Sequence, residues 1–144
     1  ESHRMRVLVP VDGSAPADAA FEYVLEQFDD ADIVALHVMD PVDGATAWGP
    51  GAGDTWFSAA EKRSEDILEA ATEAASAADR AIETDAVVGR PARAIVEYAD
   101  EHDVDHIVIG SHGRSGVSRV LLGSVAESVV RRASVPVTIA RSGE

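Results

Sequence analysis

The stretch Val7-Leu8-Val9-Pro10-Val11-Asp12-Gly13-Ser14, running on into Ala15 to Phe28, reads as a strand, a tight turn and a helix. The opening run is apolar and rich in β-branched residues, and Asp12-Gly13-Ser14 stops it. Beyond the turn, Ala20, Phe21, Val24, Leu25 and Phe28 recur at helical spacing and form one apolar face. Ser14 is a natural N-cap, and Pro16 is tolerated in a first turn.

The same alternation continues outward from this unit. Ile33 to Met39 is a second continuous apolar run, and Trp56 to Arg80 has a long helical period. In that helix Phe57, Ala60, Ile67, Leu68, Ala71, Ala75 and Ala78 are expected to face inward. Ile82 to Val88 is a third strand, whose Glu83 and Asp85 suit a sheet edge. Arg93 to Glu101 is a short helix and His106 to Ile109 a fourth strand. Ser124 to Ala133 and Val135 to Ala140 supply the last helix and strand, and Pro136 puts that strand at an edge or bulge. Continuous Val/Ile runs separated by helices mean a parallel sheet covered on both faces, joined by right-handed crossovers. The fold class is an α/β three-layer sandwich with five strands.

Composition narrows the function. The chain has 144 residues, the length of one domain, and no cysteine. This removes disulfides, thiolate metal sites and a Cys nucleophile. No apolar run approaches the roughly 20 residues that a membrane-spanning helix needs, so a soluble, cytoplasmic protein is expected. Twenty-six acidic side chains against 12 basic ones leave a net charge of −14, and Lys62 is the sole lysine. Such a surface repels nucleic acid and anionic membranes. The acid-rich, lysine-poor balance resembles proteins of salt-loving microbes. Residues 1–4 precede Met5, which looks like the native start, and are expected to be an appended remnant. Residues 5–141 form the domain and 142–144 a tail.

Two strand ends are rich in glycine and small polar residues. One is Val11 to Ser14; the other is Gly110-Ser111-His112-Gly113-Arg114-Ser115-Gly116, which leads on to Gly123-Ser124. In open α/β sheets ligands bind beyond the carboxyl ends of strands, where connections diverge. Ser124 and Glu127 have capping-box spacing, and a helix start there offers free N–H groups and a positive dipole end to an anion. Gly110, Gly113 and Gly123 let a phosphate approach the backbone, and Arg114 or Arg119 adds charge. The sole lysine is misplaced for a Walker A loop, and G-x-G-x-x-G does not follow the first strand.

The spacing Gly110-x2-Gly113-x9-Gly123-Ser124, with Pro10-Val11-Asp12-Gly13-Ser14 and Leu36-His37-Val38, resembles the universal stress protein family over Met5 to Arg141. The resemblance implies strand order 3-2-1-4-5 and the ATP-binding branch. It also implies ATP as ligand, with Mg2+ or Mn2+ held by the phosphates. Asp12 would then hold the adenine–ribose end, Val38 would meet adenine through its backbone, and Gly110 and Gly113 would line the ribose and α-phosphate. Gly123 and Ser124 would hold the outer phosphates, with Pro10, Val11, Arg114 and Val125 completing the site. Ala126 stands where relatives often carry a second hydroxyl. A homodimer through Val135, Val137 and Ile139 of the last strand is implied as well.

Blander readings stand beside these. Asp12 also suits a turn before Gly-Ser, and Gly110 and Gly113 suit ordinary turns. Asp40 to Asp54 reads as a solvent loop, or as a lid or dimer contact anchored by Trp48 and Trp56. His102 to His106 (HDVDH) hints at metal but crosses from a helix end into a strand. No catalytic base is visible. The expected function is a nucleotide-dependent stress or signalling module. A weak ATPase or phosphotransferase, or a dimeric scaffold without nucleotide, are the alternatives.

Overall fold

A computed structural model describes residues 4–41, 53–111 and 122–141. Its elements are β1 (Arg6–Pro10), α1 (Ala15–Gln27), β2 (Asp32–Met39), α2 (Gly53–Ala77) and β3 (Glu83–Val88). They continue with α3 (Pro91–Glu101), β4 (His106–Gly110), α4 (Ser124–Arg132) and β5 (Val137–Ala140). The five strands form one parallel sheet in the order β3-β2-β1-β4-β5.

Strand alternation divides the core in two. Val7, Val9, Val11, Ile33 and Ala35 pack with Ala20, Phe21 and Val24 of α1 and with Ala71 and Ala75 of α2. Leu8, Val34, Leu36, Ile107 and Ile109 point the other way, onto Ile95 and Tyr98 of α3 and Ala126 and Val129 of α4. Both faces are therefore covered, which is why the central strands read as unbroken apolar runs. The chain turns to one face after β1 and to the other after β4. Because β1 and β4 are neighbours, the connections part between them.

The edges follow the sequence signals. Glu83 and Thr84 of β3 are exposed, and Arg6 reaches across to Glu83 through two hydrogen bonds of 3.1 and 3.2 Å. That bond holds the Glu83 carboxyl below its ordinary value. Pro136 precedes the other edge strand, and its carbonyl accepts from Ile107 N–H at 3.0 Å.

Helix ends depart from expectation at both ends of the long helix, at α3, which begins at Pro91 rather than Arg93, and at the start of the last helix. The long helix begins at Gly53 and stops at Ala77, with Phe57 on its exposed side and Ala78 beyond its end. Asp79 follows in a left-handed conformation, φ 60°, and Arg80 N–H closes the turn on Ala75 O at 2.8 Å. Aspartate tolerates that conformation through its short polar side chain, so no glycine marked the stop. The last helix has Gly123, not Ser124, as N-cap, with no side-chain cap bond. Ser124 is its first residue, and Glu127 turns forward to Arg131 at 3.0 Å rather than back to a capping box.

Candidate functional site

The turn after β1 is built by side-chain hydrogen bonds. Asp12 Oδ1 accepts from the Ser14 N–H at 3.0 Å and from its hydroxyl at 2.5 Å. Ser14 Oγ in turn accepts from Ala17 N–H at 3.3 Å, capping α1. Gly13 sits between them with φ +83°, a conformation that side chains rarely adopt. Asp12 thus shapes the turn through one carboxylate oxygen. Partial burial, then the charge of Asp12, hold the nearby Asp18 carboxyl above its ordinary value.

Pro10 closes β1, and Val11 beyond it is buried. Val11 N–H still donates to Leu36 O at 2.8 Å. Its carbonyl accepts from Nδ1 of His37, a buried side chain, at 2.9 Å. Val38 follows on β2, half-buried and one residue before the strand's end.

The fourth strand contributes from the other side. Gly110 is buried and pairs with Ala140. A Cβ on Gly110 would lie 2.6 Å from Pro16 C and 2.7 Å from Pro16 O, so the first turn of α1 rests on this glycine. Past it, Ser111 N–H donates to Ala140 O at 3.0 Å, and Gly123 N–H donates to Ser111 O at 2.7 Å. This last bond ties the start of α4 to the end of β4. Ser124 is exposed there and Val125 half-buried. The ends of β1, β2 and β4 and the N-terminus of α4 therefore gather at one end of the sheet. Pro10, Val11, Asp12, Val38, Gly110, Gly123, Ser124 and Val125 all belong to these segments. Gly113, Arg114 and Arg119 lie outside the described residues, as do 42–52 with Trp48. Trp56 is half-buried in α2, its ring centroid 6.1 Å from that of Phe57.

The remaining candidates go elsewhere. His102 stacks on Tyr98, centroids 3.8 Å apart, and its Nδ1 is 3.0 Å from Tyr98 O. Tyr98 donates to Asp85 at 3.0 Å; burial first, then that bond, push its hydroxyl up to about 12. His106 instead lies 2.7 Å from the Thr138 hydroxyl and edge-on to Phe28. The two histidines are occupied by different partners. Among the described residues no group of three or more His, Asp or Glu gathers to hold a metal ion, and no helix is long and apolar enough to cross a membrane.

In the sequence His37 stands only as the middle of Leu36-His37-Val38, with no chemical role attached to its ring. Its apolar context on a buried strand was the available signal, because a polar ring there must find a partner.

Comparison with known proteins agrees with this architecture. Residues 3–141 match the Universal stress protein family. A universal stress protein of Methanocaldococcus jannaschii is 33% identical over 144 residues, spanning 94% of this chain and 81% of that protein. One from Mycobacterium tuberculosis is 35% identical over 141 residues, but this chain spans only 44% of its length. Among solved structures, UspA of Lactobacillus plantarum superposes with a TM-score of 0.81 at 26% identity, covering 98% of this chain and 100% of that one. A universal stress protein in complex with cAMP gives 0.60 at 28% identity, covering 99% and 100%.

Proposed function

Since the chain belongs to the universal stress protein family, we propose that it binds an adenine nucleotide, ATP, where β1, β2 and β4 end, and acts as a nucleotide-dependent stress or signalling module. The observation that carries this is the 2.7 Å bond from Gly123 N–H to Ser111 O. It brings the start of α4 to the point between β1 and β4 where the connections part, the position at which α/β sheets receive ligands. The helix start supplies unpaired amides and a positive dipole end to phosphate. A related structure holding cAMP supports the nucleotide class.

Each residue has a role in this site. Val38 offers its main chain to the base, and Asp12 faces the sugar with the oxygen not spent on Ser14. The amides of Ser124 and Val125 take the outer phosphates, with Gly113 and Arg114 from the loop. Gly110 serves by admitting α1 and so fixing the floor. Mg2+ or Mn2+ would be carried by the phosphates and offset their charge in this acidic protein. A second copy pairing along β5 through Val137 and Ile139, with Val135 just ahead of the strand's start at Val137, completes the assembly we propose.

Calorimetric titration of the purified protein with ATP and Mg2+ in high salt tests the site. Saturable binding is expected, weakened about tenfold by Gly123→Val, whose side chain would keep phosphate from the amides of Ser124 and Val125. No binding, and no adenine nucleotide released on denaturation, would sink the proposal. Steady phosphate release would instead make the module a slow ATPase.

A further inference from the structure

We propose that His37 is a positioning residue of the nucleotide site, acting by taking the place of a backbone donor in the sheet. The inference rests on the nucleotide reading above, and it starts from how β2 distributes its main-chain groups. Asp32 N–H donates to Met5 O and Leu36 O accepts from Val11 N–H, both toward β1. Met39 O accepts from Gly89 N–H, toward β3. Main-chain groups alternate sides along a strand, so even-numbered residues of β2 turn theirs to β1. Val38 is the next in that series.

In a regular parallel ladder, the residue whose N–H donates to position j receives at its C=O the N–H of position j+2. Val11 donates to Leu36, so its carbonyl would next accept from Val38 N–H. Among the described residues the donor recorded there is instead Nδ1 of His37, at 2.9 Å. A carbonyl can only accept, so the neutral ring carries its proton on Nδ1. The ring satisfies a buried carbonyl, and the Val38 amide is not drawn onto β1.

The consequence is local and chemical. Val38 presents an N–H and a C=O side by side, toward the space that β1 vacates as Asp12 and Gly13 carry the chain into α1. An adjacent donor and acceptor match the edge of a 6-aminopurine, whose ring nitrogen accepts while its amino group donates. The same His37 bond fixes the Val11–Asp12 peptide, so the base-facing and sugar-facing segments are set by one side chain.

The test uses the full chain with two substitutions, read by amide hydrogen exchange without nucleotide and by ATP titration. His37→Leu keeps an apolar side chain but no donor. Val38 N–H is then expected to close onto Val11 O, its exchange slowing about tenfold, with ATP affinity falling by a similar factor. His37→Asn places an amide donor near the position of Nδ1 and should return both quantities to within about threefold of the parent, a difference under one hydrogen bond. Unchanged Val38 exchange in His37→Leu, or failure of His37→Asn to restore it, overturns the proposal. A parent protein that binds no ATP would refute the nucleotide reading, and the exchange result alone would then decide the role of His37. Should the leucine variant not fold, parent-like exchange and affinity in the asparagine variant support the clamp, and loss of both overturns it.

Discussion

Gly110 shows how one residue answers two questions differently. Its place in a glycine pattern points to ligand approach, whereas its surroundings point to packing: backbone atoms of Pro16 lie 2.6 and 2.7 Å from where a Cβ would stand. Backbone cannot rotate away as a side chain can, so Gly110→Ala must push α1 off the sheet. Overpacking of this kind costs about 1–3 kcal/mol, and chemical denaturation should show a loss near the upper end. Unaltered stability with weakened ATP binding would restore the ligand-approach explanation. Asp12 is similar, since its bonds to Ser14 make it a turn former whatever it also does for a ligand.

At the scale of elements, the helix ends carry the corrections. Two helices close on an aspartate at positive φ, Asp79 at 60° after α2 and Asp103 at 56° after α3. The stabilising N–H to C=O bonds are present, Arg80 to Ala75 and Val104 to Ala99, but their usual glycine is not. Asp79→Gly relieves the left-handed strain and should raise stability by about 1 kcal/mol, part of the gain being offset by a freer unfolded chain. A fall in melting temperature would show that the Asp79 side chain contributes more than its backbone costs.

The joint between α1, β4 and β5 titrates. Burial against Phe28 and Thr138 lowers the His106 pKa from its ordinary 6.5. The folded state then binds fewer protons than the unfolded chain just below that value, so stability is complete above about pH 6.5 and declines as pH falls toward the folded pKa. Thermal melts of wild type and His106→Gln should converge in that acidic direction. Parallel curves would remove His106 from the acid response.

For the whole molecule, the governing quantity is the net charge of −14. The anionic ligand proposed above would be bound against that field, so short contacts to amides at α4 would have to outweigh long-range repulsion. The Debye length shrinks from about 10 Å at 0.1 M salt to about 3 Å at 1 M. Repulsion over the whole surface is screened strongly by this change, and hydrogen bonds at contact far less. ATP affinity should therefore hold or rise between these salt concentrations. A steep decline would mean that attraction at long range governs the site.

Most of the fold was legible in the order of the residues because each element declares itself locally. β-branched runs ended by Asp12-Gly13-Ser14 or Gly110 mark strands buried on both faces, and the period of Ala20, Phe21 and Val24 marks a helix with one inward side. The edge positions of β3 and β5 were legible too, since Glu83, Asp85 and Pro136 are unsuited to a central strand. The glycine and hydroxyl residues of the candidate site were visible as types, but what each one touches was not. Only the tertiary structure decided that Gly110 is needed beneath Pro16, that Ser124 starts a helix without capping it, and that His37 serves the carbonyl of Val11, 26 residues away. Periodicity records which face of an element is buried. Contacts between distant residues depend on how the faces are brought together, and that is set by packing the two layers of helices against the sheet.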